Sequence, residues 1–218
     1  MLTTELTERL GIRLPLVGAP MAGVAHGALA RAVSEGGALG MVGVGSTDEV
    51  GLVEREAAIA GDGGRLPFGV GLMAWALDRR PELLEATLAV RPSLVSVSFG
   101  SPGPYVGPLH DAGILVASQA QDLASATEAA GCGVDFVVAQ GTEAGGHTGA
   151  VGTLPLLQLL LGSLEVPVLA AGGIASPEGL AAVLAAGAAG AWVGTCLLAS
   201  PEAANRPEAR ARILAARE

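Results

Sequence analysis

The stretch Val166–Thr195, VPVLAAGGIASPEGLAAVLAAGAAGAWVGT, decides the fold. Its opening run, VPVLAA, is short, apolar and bounded by glycines, as a strand covered on both faces would be. Gly172-Gly173 end that run. Ser176-Pro177 then supply a helix cap and a first-turn proline, and Glu178 to Ala186 reads as a helix stopped by Gly187. A second apolar run begins near Gly190 (GAWVGT) and ends in Gly194-Thr195. Strand, helix and strand in succession make a unit whose two strands run parallel. Both glycine turns follow a strand, where backbone N–H groups can approach a phosphate closely and a helix N-terminus adds positive potential.

The same unit recurs along the chain. Candidate strands begin near Leu14 (LPLVGA), Ala38 (ALGMVGV), Pro67 (PFGVGLM), Leu94 (LVSVSF), Ile114 (ILVAS) and Val134 (VDFVVA), ahead of the two above. They lie about 25 residues apart, the size of a compact strand–helix unit. Between them, Thr47-Asp48 precede a helix over Glu49 to Ala60, and Asp122 opens one running through Ala130 to a stop at Gly131. A doubly wound open sheet is the rival architecture. Eight units in series, with phosphate-type glycines at the seventh and eighth, predict instead a closed (β/α)8 TIM barrel of near-minimal length. No linker or low-complexity tract interrupts it, so residues 1–218 are expected to form a single domain.

Composition narrows the function. Half of the 218 residues are hydrophobic but only 3% are aromatic, which suits closely packed helices and strands. A net charge of −9 argues against nucleic acid. All twelve basic residues are arginine, and the absence of lysine excludes Schiff-base aldolase and pyridoxal-phosphate chemistry. Apolar runs such as Leu154 to Leu161 fall short of the ~18 residues needed to span a bilayer. The N-terminal MLTTELTERLGIRLPL lacks a signal-peptide core, so a soluble, cytoplasmic protein is expected. Cys132 and Cys196 have no metal-ligand or redox spacing. They read as small buried hydrophobes, and no metal is implied.

The run after the sixth strand, Ala139–Gly149 (AQGTEAGGHTG), is the most unusual. Four glycines in nine residues make little packing sense, but they would let a loop lie flat against a planar ligand. His147, held by that loop, would sit over the ligand's face as a base or hydrogen-bond donor.

These motifs carry a resemblance. VGAPMAG (Val17–Gly23), AQGTEAGGHTG, AAGGI (Ala170–Ile174) and WVGT (Trp192–Thr195) resemble, in order, the nitronate monooxygenase family, formerly called 2-nitropropane dioxygenases. The resemblance implies an FMN-dependent barrel that oxidises alkyl nitronates with O2 to a carbonyl compound and nitrite. It implies that Gly172, Gly173, Gly194 and Thr195 hold the FMN phosphate, within the cofactor-binding segment that includes Trp192 and Val193. Gln140, Gly145, Gly146 and the Pro20-Met21 turn would contact the flavin, and His147 matches the catalytic histidine. It would take a proton from a neutral nitroalkane or orient a nitronate that arrives ionised.

Departures from the family pattern are clear. Gly71 stands at the cofactor where many members carry asparagine. Cys196-Leu197 replaces Arg-Phe, and Trp192 replaces a common glutamine. Relatives also continue beyond the eighth strand with a helical segment that helps cover the site, whereas one polar helix, Pro207 to Glu218, follows here. The chain then reads as compact, as truncated, or as completed by a neighbouring subunit in a homo-oligomer. Small-molecule substrate and O2 are the implied partners.

Other residues take bland readings. His26 suits a cap or surface position better than the substrate pocket, and His110 a surface one. Glu143 has no paired carboxylate and suits loop or backbone capping better than acid catalysis. Trp75 would either wall the flavin or simply pack. Arg79-Arg80 reads as a surface helix start rather than a phosphate site. Three rival functions stand beside the nitronate reading. An FMN-dependent enoyl-acyl-carrier-protein reductase using NAD(P)H shares the glycine–histidine loop. A non-catalytic flavin-binding barrel is the second. A phosphosugar isomerase or synthase is the third, and it leaves the loop around His147 unexplained.

Overall fold

Apolar strands alternate with helices throughout the computed structural model, which describes residues 2–216. The strands are β1 (Leu16–Gly18), β2 (Gly40–Gly43), β3 (Phe68–Met73), β4 (Leu94–Ser98), β5 (Leu115–Ala120), β6 (Phe136–Gln140), β7 (Val168–Ala171) and β8 (Gly190–Val193). The helices are α1 (Glu5–Leu10), α2 (Gly27–Glu35), α3 (Gly51–Ala60), α4 (Ala74–Leu77), α5 (Glu82–Val90), α6 (Gly103–Asp111), α7 (Leu123–Gly131), α8 (Thr153–Leu161), α9 (Pro177–Ala185) and α10 (Pro207–Ala215). All eight predicted strands are present. The last two residues of the predicted C-terminal helix lie outside the described residues.

Every strand pairs in parallel with its sequence neighbour from β2 to β8, and β8 pairs with β1. The ring closes between β1 and β2 through an isolated parallel bridge, Val17 to Leu39. There Gly18 N–H donates to Leu39 O (2.8 Å) and Leu39 N–H to Leu16 O (3.0 Å). The architecture is therefore a TIM barrel, and the open-sheet alternative is excluded.

Alternation along each strand sorts side chains into two cores. Val17, Leu39, Met41, Leu94, Ala117, Phe136, Val138, Leu169, Ala171 and Trp192 form one buried cluster inside the barrel. The intervening residues, such as Val42, Val70, Val95, Val116, Val137 and Ala170, pack outward against the helices. Leu6, Leu10 and Ile12, on and just after α1, join the interior cluster and plug the barrel at the N-terminal ends of its strands. A capping box fixes that plug: Thr7 N–H donates to Thr4 Oγ1 (3.3 Å) and Thr4 N–H to Thr7 Oγ1 (2.9 Å). Leu6 is fully buried, which contributes about 1.5–3 kcal/mol.

Side-chain caps set the starts of α7 and α9, as they do that of α1. Asp122 accepts from Ser125 N–H (2.8 Å) at the start of α7, and Ser176 from Gly179 N–H (3.2 Å) at the start of α9. The expected cap is absent at α3, which begins at Gly51 rather than Glu49. Asp48 is committed elsewhere: its carboxylate accepts from Gly45 N–H (2.6 Å), and its carbonyl accepts from Arg80 Nη1 (2.6 Å).

Candidate active site

All eight strands point their C-terminal ends, or the loops that follow them, into one cavity of about 670 Å³. Pro20, Met21, Gly71, Gln140, Gly145, Gly146, His147, Gly172, Gly173, Trp192, Val193, Gly194 and Thr195 all line it. The sequence reading had drawn these residues from five separate segments, and the barrel brings them together. Much of the remaining wall is apolar, with Met73, Phe99, Ile174 and Leu198 among its residues.

Two features suit a large planar ligand bearing a phosphate. Among the described residues, the N–H groups of Gly172 and Gly173 have no acceptor in the protein, and both glycines line the cavity at positive φ (122° and 70°). At Gly145 and Gly146 an added Cβ would meet no protein atom within 4 Å. Their missing side chains leave cavity space rather than relieve packing, which is the space a ring system needs.

Comparison with known proteins shows the family. The family model for nitronate monooxygenase matches residues 3–218. The chain belongs to the nitronate monooxygenase family. A nitronate monooxygenase of Paraburkholderia phytofirmans is 34% identical over 246 aligned residues, covering 90% of this chain and 66% of the relative. Among solved structures, FabK from Thermotoga maritima superposes with a TM-score of 0.92 at 32% identity, over 99% of this chain and 69% of that one. Nitroalkane oxidase from Streptomyces ansochromogenes gives 0.84 at 32% identity, over 94% and 71%. The chain thus spans about two thirds of the length of these relatives.

Within this nitronate monooxygenase family member, the glycine loop has a firmer structural basis than its composition suggests. Gly141 and Gly149 are packing positions, contrary to expectation. A Cβ on Gly141 would lie 2.2 Å from Thr153 Oγ1, and one on Gly149 would lie 2.7 Å from Gln121 Cβ. Gln140, almost fully buried, ties the loop down: its Nε2 donates to Gly145 O (3.2 Å) and its Oε1 accepts from Gln121 Nε2 (2.7 Å).

Glu143 is the backbone cap the sequence favoured. Its carboxylate accepts from Thr153 N–H (2.8 Å), at the first turn of α8, and from the hydroxyls of Thr153 (3.0 Å) and Thr142 (3.1 Å). Hydrogen bonds from its own backbone N–H and then from Thr153 hold its carboxyl below the usual range. A carboxylate depressed in the folded state stabilises above its unfolded pKa of ~4.3, and that stability is lost as pH falls through the folded value. Melting temperature in the wild type therefore drops more steeply as pH falls below the ordinary carboxylate range than in Glu143→Gln, which lacks this titration. Parallel curves for the two proteins would remove Glu143 from the acid-sensitive set.

The Gly71 departure has a steric cause. A Cβ there would lie 2.3 Å from Pro20 Cβ and Cγ, so the family's asparagine does not fit beside this Pro20 turn. Gly71→Asn is expected to cost about 1–3 kcal/mol by overpacking, read as a lower melting temperature. Combined with Pro20→Gly it should lose less than the sum of the two single changes, since the clashing ring is gone.

The remaining candidates fall away from the cavity. His26 sits at the N-cap of α2 without a side-chain cap bond, and its buried Nδ1 has no partner. The cap is instead supplied by Glu56 Oε2, which accepts from Gly27 N–H (2.9 Å). His110 is exposed and paired with Asp135 Oδ2 (2.9 Å). Trp75 packs under the Arg79 guanidinium (5.9 Å) outside the cavity wall, so it does not wall a ligand there. Arg80 is a clamp rather than a phosphate ligand, donating to the carbonyls of Ser46 (3.1 Å) and Asp48 and pairing with Glu82.

The cysteine reading needs correction. Cys132 is half-buried and Cys196 is exposed, because the chain leaves β8 in a 3-10 turn (Thr195–Leu197) that runs along the cavity instead of the core. Surrounding protein nonetheless pushes the Cys196 thiol up, away from a reactive thiolate. No cluster of His, Cys, Asp and Glu among the described residues is suited to a metal, and no helix among them is long and apolar enough to cross a membrane.

Phe99 is the residue the sequence reading missed. It follows β4 with φ 64°, and its ring centroid lies 5.0 Å from that of His147 at an interplanar angle of 51°. The only sequence signal is the Phe-Gly pair that abruptly ends the apolar run LVSVS.

Proposed function

We propose that residues 1–218 form one FMN-binding barrel domain that oxidises alkyl nitronates, or the neutral nitroalkanes that yield them, with O2 to a carbonyl compound and nitrite. The observation that carries this reading is His147 on an open-sided glycine loop, lining the same cavity as the unpaired N–H groups of Gly172 and Gly173. Those N–H groups, with Gly194 and Thr195, would hold the FMN phosphate at the start of α9, where the helix dipole favours an anion. Gly145, Gly146, Pro20 and Met21 would border its ring system. Bound FMN would supply the redox chemistry, accepting electrons from the substrate and passing them to O2.

The chain's own part is binding, orientation and proton handling. His147 would take the proton from the carbon next to the nitro group, at one of its ring nitrogens. No arginine among the described residues lines the cavity, and Glu143 brings a negative charge to its edge. A nitronate anion meets no fixed cation there, which favours entry of the neutral nitroalkane and ionisation by His147 inside.

An absorbance spectrum before and after anaerobic addition of ethyl nitronate tests the reading. FMN bands that bleach support it. Bands that stay oxidised with nitronate but bleach with NADH would replace it with the enoyl-acyl-carrier-protein reductase reading, which the close superposition on FabK favours as the second choice.

A further inference from the structure

We propose that Phe99 is a positioning residue for His147, holding the imidazole over the cavity from a backbone conformation that aromatic residues rarely adopt. The role in turnover rests on the reading of His147 as the proton acceptor; the contact itself does not.

Among the described residues, three non-glycine residues have positive φ: Asp62, Arg91 and Phe99. Asp62 and Arg91 are polar and lie in connections that lead into β3 and β4, at the far end of the barrel from the cavity. Phe99 alone stands at the cavity, and a bulky aromatic with φ 64° is a genuine outlier. The turn is held from behind. Gly100 follows with φ 148°, and a Cβ there would come 2.8 Å from Ala74 Cβ, so the chain passes close over the start of α4, where only glycine fits.

The outcome of that turn is a half-buried ring set against His147. Among the described residues, no hydrogen bond ties either imidazole nitrogen to the protein. The residue before His147 is Gly146 at φ 82°, and Gly145 before that stands in open space. Such a loop leaves the imidazole free to turn unless something outside the loop stops it. Phe99 reaches it from the end of β4, two strands away around the barrel. A mere wall residue could be supplied by any side chain in ordinary backbone geometry. Strained conformations persist where the surroundings over-determine them, and they cluster where placement matters.

The test uses Phe99→Leu, which keeps bulk but removes the ring, Phe99→Tyr, which keeps the ring, and Phe99→Gly, for which positive φ is natural. With nitroethane, Phe99→Leu and Phe99→Gly should lose about tenfold or more in kcat with KM little changed, as misplaced catalytic groups do. Phe99→Tyr should retain kcat. Turnover of ethyl nitronate, which needs no proton removed, should stay within about twofold in all three. Phe99→Gly should melt no lower than the wild type, which separates positioning from a loss of fold. Independently of turnover, the ring protons of His147, identified by their loss in His147→Asn, should be displaced by the phenyl ring current in the wild type and return toward ordinary histidine positions in Phe99→Leu. Unchanged nitroethane kcat in Phe99→Leu, or His147 resonances that do not move, would overturn the proposal. A wild type inert to every nitroalkane and nitronate would remove the reading of His147 as a base, and the resonance shifts would still decide the contact.

Discussion

Replacing His147 with alanine is expected to lower kcat/KM for nitroethane by about 10²–10⁴, the usual contribution of a positioned general base, while bound FMN is retained. That loss corresponds to about 3–5 kcal/mol of transition-state stabilisation. The imidazole lies on the cavity wall on the exposed Gly145–Gly146 loop, so its removal takes no side chain out of a core. Ethyl nitronate, already ionised, should lose less than about tenfold. Oxygen uptake with the two substrates side by side makes the comparison. Equal losses would mean that His147 orients the nitro group instead of taking a proton, and full activity on both would remove it from the mechanism.

The second large effect is expected from Gly172→Ala. Gly172 has φ 122°, and an added Cβ would lie 2.4 Å from Thr153 Oγ1 and 2.8 Å from Ala144 N. Neither neighbour can yield cheaply. Thr153 Oγ1 is bonded to Glu143 and to Ala171 O (3.2 Å), and Ala144 N–H is bonded to Gly141 O (3.0 Å). Backbone strain of about 1–3 kcal/mol and overpacking of similar size together predict a loss of about 2–6 kcal/mol. In a chain of this length that lowers the melting temperature by roughly 5–15 °C. On the proposed reading, in which the Gly172 and Gly173 N–H groups hold the FMN phosphate, FMN affinity should fall with it. Gly173→Ala is the internal control. A Cβ there would meet only the Glu143 side chain, at 3.5 Å (Cβ) and 3.9 Å (Cγ), and bears only the penalty of φ 70°, so it should cost about 1–2 kcal/mol. Equal losses at the two positions would refute the steric account.

Much of the fold and site was legible because the signals were local. Strands covered on both faces read as unbroken apolar runs, and Asp122, Ser176 and Gly187 mark helix ends by their own chemistry. The glycines after β7 and β8, and the loop carrying His147, stood out for the same reason. What stayed hidden depends on residues distant in sequence. Gly71 faces Pro20 across two strand ends, and Gly141 is forced by Thr153. Asp48 looked like a cap for α3 until Arg80 and Gly45 engaged it. Cys196 looked like core because nothing in its neighbours shows that the chain swings along the cavity after β8. Phe99 reads as one more strand aromatic unless its φ is known.

The barrel's ring of hydrogen bonds is uneven. Seven of its junctions are registers of three to five residue pairs, whereas β1 and β2 meet through one bridge, at Val17 and Leu39. A hoop under thermal agitation gives first at its weakest joint, so local opening with the lowest cost is centred there. Beyond that joint β1 continues directly into Pro20 and Met21, part of the cavity wall. The backbone of that turn packs directly against Gly43 at the end of β2, and Gly43 N–H donates to Ala25 O (2.8 Å), so on this side the chamber is closed by close packing and one loop hydrogen bond in place of a ladder.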